Sequence, residues 1–301
     1  MWFQRKKPPD HATQNVAVGM LSETPGHPIS DDTTGHALRT PSKLHAFNRY
    51  EIKYLVPSHQ IPELRGELTR RLDFDSHGAD GGYGVWSTYY DTRQLRFYWE
   101  KIEGLKFRRK LRIRHYGDRF AVSDDSTVHV EIKQRVNRVT QKRRIALPYA
   151  QAQDLCDRRR MIEHHSSQKA FVEEILELVS MLDLRPVMMT GYQREAFVGR
   201  EADEGIRVTM DHRVRGRDRD FHFAASAENR LIVPAGLSVV EFKADERVPY
   251  WLTDLAARMN LSVVRVSKYC QGIEAYDRAP RSIFHVPDDE PAGVLPVAIH
   301  S

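Results

Sequence analysis

Strand after strand of this chain alternates apolar and cationic residues, and that pattern constrains the fold more than any other feature. In FRRKLRIRHY, residues Phe107 to Tyr116, side chains of an extended backbone switch faces at every step. Arg108, Lys110, Arg112 and Arg114 therefore share one face, with Phe107, Leu111 and Ile113 on the other. VHVEIKQRV sets His129, Glu131, Lys133 and Arg135 against Val128, Val130 and Ile132, and TQKRRIAL sets Lys142 and Arg144 against Ile145 and Leu147. FNRYEIKYLV separates Arg49, Glu51 and Lys53 from Tyr50, Ile52 and Tyr54. IRVTMD places Arg207, Thr209 and Asp211 across from Ile206, Val208 and Met210, while VVEFKA places Glu241 and Lys243 across from Val240 and Phe242. Arg194 lies in YQRE, where the two faces separate less cleanly.

An antiparallel sheet commonly shows water one face, so polar alternation alone says little. The residue types say more. On three strands a Glu stands two positions before a Lys: Glu51 with Lys53, Glu131 with Lys133, Glu241 with Lys243. Cations gathered on one face repel one another unless something negative neutralises them, and closing the sheet concentrates that field inside. A phosphate chain is the natural occupant. Arg presents forked donors to phosphate oxygens, Lys a compact charge, and interspersed carboxylates can hold a hard divalent cation. The formal net charge of +5 fits a polyanionic partner but by itself leaves nucleic acid, a membrane surface and a phosphate compound open. A nucleic-acid binder would interleave aromatic residues on the charged face for base stacking. These strands mostly put aliphatic residues on the opposite side, so nucleic acid is not the expected partner.

The 301 residues divide into a leader over 1–43 rich in Pro, Gly, Thr, Asp and His, one domain over 44–278, and a Pro-rich tail over 279–301. Within the domain, a helix is expected from Ser58, its cap, through Ile61, Leu64, Leu68 and Leu72, and a longer helical stretch from Tyr149 to Leu182. Two more helices are expected near Tyr250–Met259 and from Ser267, with GADGGYG as a turn and WSTYYDTRQLRFYWEKIEG as strand. The fold class is α+β: an antiparallel sheet, curved or closed into a barrel, with a few helices at its ends. No apolar run approaches the ~20 residues of a membrane helix and no secretory signal opens the chain, so a cytoplasmic protein without membrane insertion is expected. Cys156 and Cys270 lack metal-type spacing and are expected as free thiols. His164 and His165 are expected at the surface or as caps, and RVRGRDRDF as a solvated hairpin tip.

The segments RYEIKY, YYDTRQLRFYWEKIEGLKFRRKLRIRHY, VEIKQR followed by QKRR, GYQREAF, RVTMD, VVEFK and SKY, taken in order, resemble the VTC domain, a member of the triphosphate tunnel metalloenzyme superfamily. The similarity runs from about Phe47 to Tyr276. It implies an eight-stranded antiparallel β-barrel, a triphosphate tunnel, with helices outside and at one mouth. It also implies a polyphosphate polymerase that moves the γ-phosphate of ATP onto a polyphosphate chain with a divalent ion, manganese or magnesium. Carried over by residue, Lys53, Arg112, Arg114, Lys133, Arg194 and Lys268 take catalytic positions. Lys142, Arg207 and Lys243 match further basic wall positions that bind substrate, and Lys110 and Arg144 join them by sharing a face. Glu241 matches the metal-ligand carboxylate, with Glu51 and Glu131 as further candidates. Tyr90 and Asp91 match a motif of structural or substrate-positioning role. Eukaryotic members add an SPX domain and membrane helices; the short polar leader fits neither, so a stand-alone bacterial form is expected, with a membrane-protein partner left open. The same site could instead hydrolyse triphosphate or polyphosphate, cyclise a nucleotide, or bind polyphosphate without turnover.

Overall fold

The computed structural model describes residues 50–76, 82–137, 139–245 and 247–279; the expected leader, most of the Gly-rich turn and nearly all of the tail lie outside them. Ten strands form one antiparallel sheet: β1 (Tyr50–Pro57), β2 (Leu72–Phe74), β3 (Tyr83–Asp91), β4 (Phe107–Tyr116), β5 (Thr127–Val136), β6 (Val139–Pro148), β7 (Arg185–Gly199), β8 (Ile206–Arg217), β9 (Arg230–Leu231) and β10 (Leu237–Ala244). Eight of them run in the order β1-β10-β8-β7-β3-β4-β5-β6, with β2 added to β7 and β9 to β8. Six helices accompany them: α1 (Ile61–Thr69), α2 (Arg96–Ile102), α3 (Tyr149–Cys156), α4 (Lys169–Met181), α5 (Tyr250–Arg258) and α6 (Lys268–Ala275). The α+β class is as expected.

The eight-strand path curls round on itself, because Lys133 on β5 lies 3.4 Å from Glu51 on β1 although the two strands are six places apart in the order. It does not close as the expected barrel. Among the described residues β1 and β6 are not paired. The outer edge of β1 is engaged elsewhere: Val263 bridges to Tyr54, and the Val264 N–H donates to the Lys53 carbonyl at 2.8 Å. Those contacts take backbone groups that closure would need.

The apolar side of the alternation faces outward from the curl and is covered by helices. Ile113, Val130, Ile132 and Ile145 pack with Val172, Ile175 and Val179 of α4, and Tyr54, Val208 and Phe242 pack with Leu64, Leu68, Leu252 and Leu255 of α1 and α5. Each such side chain, fully buried, stabilises the fold by roughly 1.5–3 kcal/mol. This covering fixes which way the charged face points, since a one-residue slip of any strand would exchange its two faces.

Several local expectations are corrected. Ser58 opens a 3-10 turn and caps nothing; α1 starts at Ile61, and Leu72 already belongs to β2. The stretch from Tyr149 to Leu182 is two helices, α3 and α4. The break between them includes His165, whose ring accepts from the Ser167 N–H as a cap. The segment read as strand after Asp91 contains α2. Its start is held by the Asp91 carboxylate, which accepts from the backbone N–H groups of Thr92, Phe97 and Tyr98 and so satisfies donors a helix leaves open. RVRGRDRDF is a solvated tip only in part: Arg219 and Asp220 are exposed, but Arg217 is 0% exposed at the end of β8 and donates to the carbonyls of Asp220 and His222. Both cysteines are free and buried. Among the described residues no helix is long and apolar enough to cross a membrane.

Candidate functional site

Inside the curl the charged residues form several ion-paired clusters. Arg194 on β7 stands directly across from Asp211 on β8 and forks onto its carboxylate, Nε to Oδ1 at 2.7 Å and Nη2 to Oδ2 at 2.8 Å. Lys268, in the first turn of α6, reaches the same carboxylate at 2.6 Å and Glu241 at 3.5 Å. Glu241 on β10 also takes Lys53 at 3.0 Å and Lys243 at 2.7 Å. Lys53 continues to Glu51 at 2.9 Å, which Lys133 meets from the other wall. On that wall Glu131 is held by Arg112 and Lys142, each at 2.7 Å. Arg114 donates to Ser87 Oγ at 2.9 Å and to the Tyr192 hydroxyl at 3.3 Å, a hydroxyl that Arg194 also approaches at 3.4 Å. Lys110 donates to Ser267 Oγ at 2.7 Å, and Arg207 pairs with Asp75. Arg144 faces Glu131 across β5 and β6 and is exposed.

Fourteen of the fifteen site residues expected from the sequence lie on this face or reach into it, Arg144 without a partner contact among the described residues and Arg207 paired apart from the rest with Asp75. The exception is Tyr90. It points to the other face, 2% exposed in the core beneath α3, and its hydroxyl donates to Asp157 at 2.6 Å. Asp91 is engaged in holding α2 and in accepting from the Tyr269 hydroxyl of α6. Sequence reading missed Asp211 as the partner of Arg194, together with Tyr192, Tyr89, Ser87 and Asp75. Tyr192 carries a legible signal, since it lies two residues before Arg194 on the same face. The others need the strand order.

The eleven cations named above stand against five carboxylates, Glu51, Asp75, Glu131, Asp211 and Glu241, so positive charge remains in excess. Burial opposes the charge on Glu51, Glu131, Asp211 and Glu241. Even so, Lys53 and Lys133 hold the Glu51 carboxyl down at about 2, and Arg194 and Lys268 hold Asp211 at about 2. Glu131 and Glu241 are likewise pulled well below the usual carboxylate range, Glu131 by Arg112, Arg114 and Lys142 and Glu241 by Lys243, Lys268 and Lys53. These carboxylates are ionised counter-ions. Burial lowers Lys142 and Lys243 to about 8, with Glu131 and Glu241 offsetting only part of the effect. Burial would raise the Tyr89 phenol, but Arg112, Arg114 and Lys110 bring it to about 7, and Arg112 donates to its oxygen at 3.1 Å.

A pH dependence follows. As pH rises through about 8 the two lysines lose positive charge, while above about 7 Tyr89 gains negative charge. Both changes weaken anion binding. Tripolyphosphate affinity, measured by calorimetry, should fall roughly tenfold between about pH 7 and pH 9, and replacing Lys142 and Lys243 with Met should remove most of the fall. A level profile in the parent protein would show that the lysines keep their charge.

The three expected metal ligands do not form one site. Glu51 and Glu241 share Lys53, but Glu131 stands apart on β5 between Arg112 and Lys142. Among the described residues no group of three or more His, Cys, Asp or Glu could hold a metal ion. Each of the three carboxylates is already engaged by two or three cations, so they do not fit a protein-held divalent ion.

Beyond the charged network the inner face turns apolar. Leu55 continues the face of Lys53, Val239 that of Glu241 and Val85 that of Ser87. These three pack with Val214, Tyr192, Val266 and Tyr276, so hydrocarbon backs the charged half of the concavity.

A family profile described as the VTC domain matches residues 48–276. The chain belongs to the VTC domain family. This VTC domain is 28% identical over 283 residues to vacuolar transporter chaperone complex subunit 4 of Trypanosoma cruzi (strain CL Brener), covering 78% of this chain and 35% of that protein. It is 27% identical over 275 residues to the same-named subunit of Trypanosoma brucei brucei (strain 927/4 GUTat10.1), covering 75% and 34%. The chain thus spans about a third of the length of these curated relatives. Among solved structures, a protein from Pyrococcus horikoshii OT3 aligns over 76% of this chain and 99% of its own, with a TM-score of 0.37 and 12% identity.

Proposed function

We propose that this VTC domain binds the phosphate chain of ATP on its inner face and transfers the terminal phosphoryl group to the end of a polyphosphate chain. The observation that carries the reading is the excess of cations over carboxylates on one face whose members come from seven strands and α6, in a chain of this family. In the transfer, the bond from the γ-phosphorus to its bridging oxygen breaks, and ADP leaves with the electron pair. A terminal oxygen of the acceptor chain forms the new bond to phosphorus. No covalent enzyme nucleophile is required; positioning and charge compensation suffice.

The forked donors of Arg112, Arg114 and Arg194 take non-bridging oxygens, and Lys53, Lys243 and Lys268 compensate the charge that moves to the leaving group. In the free protein Glu131, Asp211 and Glu241 occupy these donors apart from Arg114, which bonds Ser87 and Tyr192, so the incoming phosphates displace carboxylates rather than water alone. A divalent ion enters this reading as the counter-ion of the nucleotide, since the carboxylates gather no cage for it.

Incubating the protein with ATP and Mn²⁺ tests the reading. Long phosphate polymers on a gel are the expected result. Orthophosphate without chains would replace polymerase by hydrolase, and tight tripolyphosphate binding without turnover would leave a binding module.

A further inference from the structure

The outermost rungs of β4 and β5 pair like with like. Register sets Arg108 across from Arg135 and, one rung inward, Lys110 across from Lys133, which in turn faces Lys142 on β6. Like charges placed directly opposite are destabilising, and here two successive rungs are so built. The third rung is the first to contain a carboxylate, Glu131 opposite Arg112.

The two rungs differ in how they are compensated. Lys133 has Glu51, Lys142 has Glu131, and Lys110 has the Ser267 hydroxyl. Arg135 has the Asn137 carbonyl, 2.9 Å from its Nε, and no carboxylate among the described residues. Arg108 is half-buried with no hydrogen bond or ion pair among the described residues. The carboxylate that acts on it, Glu100, is already accepting from Arg96 Nε and the Arg109 N–H. Burial and the facing Arg135 both push the Arg108 guanidinium below its ordinary value. On α2, Lys101 is pulled the same way by burial and by Arg108.

We infer that Arg108 and Arg135 form a second anion subsite at the outer end of the inner face, which takes the distal phosphates of a chain longer than a triphosphate. It rests on the function proposed above and names the substrate class: linear polyphosphate extending out of the central network. Successive same-face residues of a strand lie about 7 Å apart. A chain anchored between Arg112 and Arg194 therefore meets Lys110 and Lys133 next and Arg108 with Arg135 after them. A triphosphate held at the centre ends before that last rung.

The test compares tripolyphosphate with polyphosphate of roughly a hundred units, by calorimetry on the full chain at fixed salt. For R108Q/R135Q, tripolyphosphate affinity should stay within about twofold of the parent while long-chain affinity falls about tenfold, with a shallower salt dependence. R108K/R135K should keep long-chain binding, and R158Q/R258Q, which removes two exposed arginines, one just after α3 and one at the end of α5, should change neither. Equal loss for both ligands, no loss for the long chain, or the same loss in the R158Q/R258Q control would overturn the subsite while leaving the central site standing. A parent protein that binds neither ligand would overturn the proposed function, and the subsite with it.

Discussion

Replacing Asp211 with Asn should cost roughly 3–5 kcal/mol of stability, the range seen when one partner of a buried ion pair is removed. The residue is 0% exposed, accepts a fork from Arg194 and an ammonium from Lys268, and its loss leaves two buried cations short of compensation. Urea unfolding gives the value directly. The sign of the pH dependence is fixed as well. The carboxyl titrates at about 2 in the fold against an ordinary 3.8, so its stabilisation is complete above about pH 4 and lost as the pH falls towards 2. The variant should therefore lose less stability than the parent on acidification across that window. Where Asp211→Asn still folds, it should bind tripolyphosphate more tightly than the parent, because one internal competitor for Arg194 and Lys268 is gone. A variant within 1 kcal/mol of the parent would mean that the network is wet enough for water to screen its charges.

The second large effect is on binding. Lys268→Ala should weaken tripolyphosphate affinity about 30-fold or more, corresponding to at least 2 kcal/mol for a buried charged contact. The ammonium sits between Asp211 and Glu241, 4.8 Å from the centre of the Tyr192 ring, in a nearly fully buried position. Removing it leaves both carboxylates paired, Asp211 with Arg194 and Glu241 with Lys53 and Lys243, so folding should survive. Lys133, with 45% of its side chain exposed, provides the contrast: its replacement by Ala should cost about threefold or less. Equal losses for the two variants would contradict a site centred on the Arg194–Asp211–Lys268 group.

Much of this was legible in the sequence because one rule, alternation, governs both the fold and the site. Lys53, Arg112, Lys133 and Lys243 could be assigned to a single face before their strands were ordered, whereas Arg194, in a less cleanly alternating stretch, was placed by the family resemblance. The barrel closure that went with that reading could not be checked in the same way, since it depends on what covers the outer edge of β1. α2 was hidden by composition: RFYWEKI is rich in aromatics that favour strands, and its helical start depends on an Asp91 carboxylate aimed back at the backbone. Asp211 was visible on the charged face, but its role requires β7 and β8 to be neighbours in the register that sets Arg194 opposite it. Tyr90 shows the limit of motif matching. The YYDT stretch fits the family, yet parity puts Tyr89 inside with Arg112 and sends Tyr90 to the helical core.

Under the proposed function, the greasy half of the concavity would decide what part of a polymer this protein holds. A polyanion advancing past Arg114 and Arg194 meets Leu55, Val85, Val214 and Val239, where each further phosphate would have to shed its hydration against aliphatic carbon. On the proposed function the bound chain would stop there, its last unit inside and the remainder trailing into water. Such a groove would recognise termini rather than internal segments, and would set no ceiling on how long the bound molecule is.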